Sequence, residues 1–146
     1  MIELHFSISI EASKECVWKT LWDDNSFRDW ASIIDEGTFM QGIMKEGKEV
    51  QFISSINGYG VTSTVEKMIE NEYVLFKHQT DTIDSGQDTR EREWSGGTES
   101  YSLNELNGLT ILNVNMDVPY HQEETFVSLV PHALERIKEL AEEKSI

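Results

Sequence analysis

The chain has 146 residues, 38% of them hydrophobic and 27% charged, a length and balance that fit one domain, residues 1–146, with its own buried core. It carries 12 Lys and Arg against 27 Asp and Glu, a formal net charge of −15. That balance argues against nucleic acid as a partner, because phosphate binding needs a basic footprint, and against docking by charge on an anionic membrane leaflet. The single cysteine, Cys16, rules out an internal disulfide and a cysteine-based metal site. Met1 to Phe6 has no basic region followed by an apolar stretch, so a signal peptide is not expected. No apolar run approaches the roughly 20 residues of a membrane-spanning helix. No integral membrane association is expected, and the cytoplasm is the expected location.

Ile2 to Ile10 alternates apolar and polar residues, which predicts a strand with one buried face and places His5 on its solvated side. Ser13 is a candidate N-cap for a helix running to about Trp22, with Val17 and Leu21 on its buried stripe. Asp23-Asp24-Asn25 interrupts it, and Asn25 or Ser26 is placed to cap a second short helix through Phe27 and Trp30. Three of the four tryptophans, Trp18, Trp22 and Trp30, fall in this region. Burial against the sheet is expected for Trp18 and Trp30.

From Gly37 the pattern changes to strands and turns. Strands are expected over Thr38–Met44, Glu49–Ile56, Tyr59–Ile69, Tyr73 to about Asp81, Thr98–Leu106 and Leu109–Met116. Asn57-Gly58 and Asn107-Gly108 are hairpin signals. Thr82–Gly97 is polar and acidic, with Asp84, Asp88, Glu91 and Glu93 against Arg90 and Arg92, and reads as a loop or an extension of its flanking strands. It lacks the residue order of a calcium loop. Gln122 to about Glu143 reads as a long helix whose apolar stripe runs from Phe126 through Val130, Leu134 and Ile137 to Ala141. Pro131 lies inside it and predicts a kink or break.

Several segments are similar to one known group. Ile10 to Trp18, with its Val17-Trp18 pair, resembles the opening signature of the family similar to the heat-shock-protein-90 ATPase activator. Phe27-Arg28-Asp29-Trp30 resembles the end of its second short helix, Glu99-Tyr101-Leu103 with Asn107-Gly108 its last hairpin, and Phe126 to Leu140 its C-terminal helix. That family is a branch of the START-like (SRPBCC) superfamily. The resemblance implies an α+β, helix-grip fold, a curved antiparallel sheet around the long helix, with a cavity between them. The chain departs from the pattern at Glu70-Asn71, where many members have proline, and in the acidic stretch 81–93.

No nucleophile elbow and no P-loop occurs, and the four histidines show no metal-ligand spacing. No cofactor is expected. Trp30, Phe52, Phe76, His78, Tyr101, Val114, Met116, Phe126 and Val130 are expected to line the cavity. Among these, His78 and Tyr101 supply the strong hydrogen-bonding groups, while Glu99 is assigned to the opposite face of its strand from Tyr101. The leading expectation is a binding protein for an apolar, aromatic or lipid-like small molecule. The alternatives are a protein-interaction module related to the ATPase activators, and a cyclase- or dehydratase-type enzyme with His78 or Tyr101 as proton donor. Polar groups converging on a cavity would favour the enzyme, and a fully packed core would favour the interaction module.

Overall fold

The computed structural model describes residues 1–83, 87–88 and 93–144. In chain order it contains β1 (Ile2–Ile10), α1 (Lys14–Trp22), α2 (Asp24–Ala31), β2 (Thr38–Gly42), β3 (Glu49–Ser54), β4 (Gly60–Ile69), β5 (Tyr73–Ile83), β6 (Gln87–Asp88), β7 (Thr98–Leu106), β8 (Leu109–Val118), a short 3-10 turn (Tyr120–Gln122) and α3 (Glu123–Lys144). The strands pair antiparallel in the order β1-β8-β7-β5-β4-β3-β2, with β6 paired to β5 off this path. The curled sheet and the long C-terminal helix form the expected α+β, helix-grip arrangement.

The two short helices form for local reasons. The Ser13 hydroxyl accepts from the Cys16 N–H and satisfies one of the free donors at the start of α1. Asp23 ends α1 and is the N-cap residue of α2, two or three residues earlier than the expected cap at Asn25 or Ser26. Ser26 is buried, and its hydroxyl donates to the carbonyls of Lys19 and Asp23. The Trp30 indole N–H donates to the Leu21 carbonyl at 3.1 Å and fixes α2 against α1. Trp18 and Trp30 are both buried, as expected.

The two hairpin signals have different outcomes. Asn107 and Gly108 form a two-residue turn between β7 and β8, both with positive φ (54° and 80°), the backbone that a hairpin following the sheet twist requires. At Asn57-Gly58 the strands stop sooner, at Ser54 and Gly60. The Ser54 hydroxyl donates to the Glu36 carbonyl and accepts from the N–H groups of Ile56 and Asn57, which draws these residues out of the ladder.

α3 runs without interruption through Pro131. Proline removes one helical hydrogen bond and leaves the carbonyl of Val127, one turn earlier, without its donor. Both residues lie on the exposed side of α3, where solvent satisfies that carbonyl. On the inner side, Val130, Ala133, Leu134, Ile137 and Ala141 are buried in the core. Polar ties hold the helix in place. Arg136 Nε and Nη2 donate to the two carboxylate oxygens of Asp29 in α2 at 2.8 and 2.9 Å, Lys138 Nζ donates to the Ser9 carbonyl, and Glu142 accepts from the Glu11 N–H.

Of the acidic stretch 81–93, Asp84, Arg90, Glu91 and Arg92 lie outside the described residues. Asp81 and Glu93, which are described, belong to the site below. No described helix is long and apolar enough to cross a membrane.

Truncation of Trp30 to alanine removes a buried ring and the α1–α2 tie, and is expected to cost about 3–5 kcal/mol in equilibrium unfolding. Leu106, 76% exposed at the β7–β8 turn, is expected to change stability by less than about 0.5 kcal/mol when cut to alanine. Equal effects of the two substitutions would contradict this packing of the short helices.

Candidate functional site

The site follows from strand register. Antiparallel pairing lays residues of β5, β7 and β8 in rows across the inner face of the sheet. One row is Val74, Tyr101 and Val114; the next is Phe76, Glu99 and Met116. Glu99 and Tyr101 are two residues apart and share a face, which corrects the expectation that they point to opposite sides. The third row begins with His78, whose backbone N–H donates to the Gly97 carbonyl while its own carbonyl accepts from the Gly96 N–H. Between β4 and β5 the register shifts, since Thr62 pairs with Thr80 and Ser63 with His78, so Gln79 is an extra residue on β5. Such a bulge re-aims the side chain beside it; here it sets His78 against Ser63.

These rows and the short helices bound an inner cavity of about 150 Å³. Phe27, Trp30 and Ile34 close one side. Phe52, Gly60 and Val61 come from the far strands, Met116 from β8, Phe126 from α3 and Trp94 from the segment before β7. Gly60 is required by proximity: a Cβ there would stand 1.9 Å from the Phe52 carbonyl oxygen. A second, more polar hollow of about 730 Å³ adjoins the first. The two share Ile34, Asp35, Tyr59, Gly60, Trp94 and Phe126, and the hollow adds Asp81, Thr82, Glu93, Gln122 and Thr125.

Three titratable groups, His78, Glu99 and Tyr101, lie together on the inner cavity, which Asp35 and Tyr59 also border. His78 is 2% exposed. Its Nδ1 is 2.7 Å from Ser63 Oγ, and its Nε2 has no hydrogen-bond partner among the described residues. Glu99 Oε1 lies 3.9 Å from that nitrogen. The Tyr101 hydroxyl donates to Glu99 Oε2 at 2.5 Å. Burial pushes the His78 imidazole down to about 4, against a smaller opposing pull from the charge of Asp117, so the ring is neutral at physiological pH. Burial raises Glu99, partly offset by the Tyr101 hydrogen bond. Tyr101 is raised well above the usual phenol range by burial and by the neighbouring carboxylate. Asp117 is itself held by the backbone N–H and hydroxyl of Thr98.

Trp94 covers this group. Its ring meets His78 edge to face, with centroids 5.9 Å apart, and Phe126 at 5.5 Å. The Asp81 carboxylate accepts from the backbone N–H groups of Glu93 and Trp94 and fixes the segment, and Glu93 pairs with His121 beside the start of α3.

Of the residues expected along the cavity, Trp30, Phe52, His78, Tyr101, Met116 and Phe126 border it. Phe76, Val114 and Val130 do not. Phe76 is fully buried beneath the rings of Trp22, Phe52 and Tyr101, 5.5, 5.2 and 6.4 Å away. Val114 lies opposite Tyr101 in the sheet, and Val130 joins the core stripe of α3. Trp22, central to the aromatic cluster, takes up the space that would have exposed Phe76. The sequence reading turns Glu99 away from the cavity and does not single out Trp94. Strand parity with Tyr101 was the available signal for the first, and a lone aromatic ring in a polar stretch for the second. Among the described residues, no cluster of three His, Cys, Asp or Glu side chains is arranged to hold a metal ion.

The depressed His78 pKa makes a pH prediction. Between its folded value of about 4 and the usual value of the unfolded chain, the unfolded state binds more protons. Stability from His78 is therefore complete above the unfolded value and lost as the pH falls. Glu99 acts in the opposite sense, because its folded pKa is raised. Substitution His78→Gln is expected to remove roughly 2 kcal/mol of the acid dependence between about pH 7.5 and about pH 5. Parallel stability–pH curves for wild type and variant would show that His78 is not buried in its neutral form.

No family model matches the chain, and no curated protein does. Solved structures do. The Aha1 dimer from Colwellia psychrerythraea matches over 97% of each chain at 18% identity, with a TM-score of 0.70. Protein MLL2253 from Mesorhizobium loti matches over 99% of this chain and 100% of its own at 10% identity, with a TM-score of 0.76. CalU16 from Micromonospora echinospora matches over 93% of this chain and 71% of its own at 15% identity, with a TM-score of 0.62. Likeness at these identities is likeness of backbone, and it agrees with the sheet order and helix placement found here: the chain has the helix-grip fold.

Proposed function

We propose that residues 1–146 act as one unit that binds a neutral, ring-containing small molecule, with one ring in the inner cavity and the remainder in the adjoining hollow. The observation that carries this reading is the convergence of His78 and Glu99 on a cavity walled mostly by aromatic and aliphatic side chains, with Asp35, Thr38 and Ser54 among its other polar residues. Small-molecule sites combine apolar walls with a few convergent polar groups in this way. An apolar cavity of about 150 Å³ accommodates a molecule of benzene size. The wider hollow carries Asp81, Glu93 and Asp35, so with the net charge of −15 it disfavours anions.

A second reading is acid–base catalysis on the bound molecule. It is supported by the same convergence, since a neutral imidazole and a carboxylate within reach of one bound atom form a proton donor–acceptor pair. Likeness to the Aha1 dimer supports a protein-interaction role at the level of fold alone.

Native mass spectrometry of freshly purified protein identifies co-purified molecules, and amide NMR titration locates them. Neutral aromatic compounds are expected to shift the amides of His78, Trp94 and Phe126. Val61→Phe, which fills the cavity, is expected to abolish those shifts while the rest of the spectrum keeps its dispersion. Sugar phosphates and nucleotides are expected to shift none of these residues. Shifts by the anions alone, or by no compound class, would overturn the binding reading, and in the second case the protein-partner reading takes its place.

A further inference from the structure

The polar end of the cavity has a hydrogen-bonding sense that narrows the ligand class. Ser63 Oγ has the His78 Nδ1 as its one partner among the described residues. If Nδ1 carried the proton and donated to Ser63, the serine hydroxyl proton would be left buried without an acceptor. If Ser63 donates to Nδ1, the ring proton sits on Nε2, and the one donor left over stands opposite a carboxylate oxygen, Glu99 Oε1, 3.9 Å away. Nε2–H is then an unpartnered donor across from Glu99 Oε1, in a residue that borders the cavity. The other side of the gap is an acceptor. The Tyr101 hydroxyl donates to Glu99 Oε2 at 2.5 Å, which leaves Oε1 as the carboxylate oxygen without that partner. Glu99 Oε1, which has no hydrogen bond of its own among the described residues, presents its lone pairs to the same space.

A donor and an acceptor 3.9 Å apart are too distant to bond each other. An oxygen about 2.8 Å from both lies roughly 2 Å off the line joining them, at ordinary hydrogen-bond lengths. That oxygen must accept from one side and donate to the other. A hydroxyl does both, whereas a carbonyl, ether or nitrile only accepts. We propose that the cavity selects a hydroxylated ring, a phenol or an enol, whose O–H accepts from His78 Nε2 and donates to Glu99 Oε1. This rests on the binding reading above and adds to it the functional group that the site recognises.

Glu99→Gln provides a direct test. The amide has one oxygen, and the Tyr101 hydroxyl needs an acceptor. The oxygen therefore stays on Tyr101, and the amide nitrogen turns to the cavity as a donor. The variant presents two donors where the wild type presents a donor and an acceptor. Phenol, benzaldehyde and toluene, titrated into the full chain with amide NMR as the readout, distinguish these cases. In the wild type, phenol is expected to bind more tightly than benzaldehyde. In Glu99→Gln the phenol-to-benzaldehyde affinity ratio is expected to fall by about tenfold or more, the order of one buried hydrogen bond, while toluene changes by less than about twofold. Ser63→Ala, a smaller change, is expected to weaken phenol as well, because the ring proton is no longer held on Nε2. Toluene binding with no preference for phenol, or a wild-type preference for benzaldehyde, would overturn the hydroxyl assignment and leave the binding reading intact. No binding by any of the three would overturn both.

Discussion

The structure depends on one constraint, the antiparallel register of β5, β7 and β8. Period-two alternation on each strand, combined with this pairing, fixes which side chains are neighbours on the inner face of the sheet. It places Glu99 between Phe76 and Met116, one row from Tyr101, with His78 at the next position along β5. A slip of one residue in β7 would send Glu99 and Tyr101 to the outer face and bring Ser100 and Ser102 inward. The polar group inside the core is therefore specified by the same pairing that buries the apolar rows around it.

Placing those groups there costs stability. A half-buried carboxylate and a buried imidazole lacking one partner are both disfavoured relative to water. The surroundings reduce the cost by local pairing. Tyr101 supplies a short hydrogen bond to Glu99, Ser63 supplies one to His78, and Asp117 offsets part of the burial that drives the imidazole neutral. Trp94 packs against His78 and is held by the Asp81 carboxylate, which accepts from the backbone N–H groups of Glu93 and Trp94. The aromatic cluster around Trp22 and the ties from α3 to Asp29, Ser9 and Glu11 supply the packing that tolerates such a group. Strongly perturbed titratable groups cluster at functional sites.

Much of this was legible in the amino-acid order. Alternation in Ile2–Ile10, the Ser13 cap, the Asn107-Gly108 turn and the α3 stripe are local signals, and each corresponds to an observed element. What was not legible depended on partners distant in the chain. The loop at Asn57 is longer than its dipeptide implies because the Ser54 hydroxyl bonds the Glu36 carbonyl. α3 passes through Pro131 because the side of the helix that loses a hydrogen bond is the exposed one. In the site, six of the nine expected residues border the cavity, because facing inward follows from strand parity. Phe76, Val114 and Val130 also face inward, but lie beneath other side chains, which parity does not reveal. Glu99 was legible by parity with Tyr101, whereas the bulge at Gln79 and the folding of Trp94 over His78 required the three-dimensional pairing.

The central claim is that a neutral histidine with its proton on Nε2 faces a carboxylate across the cavity. Long-range ¹H–¹⁵N NMR correlations of the His78 ring read both its charge and its tautomer. At neutral pH the account predicts one protonated nitrogen, Nε2, and one unprotonated nitrogen, Nδ1, with the charged form appearing only as the pH approaches about 4. A ring carrying two protons at neutral pH, or one whose single proton resides on Nδ1, would contradict it.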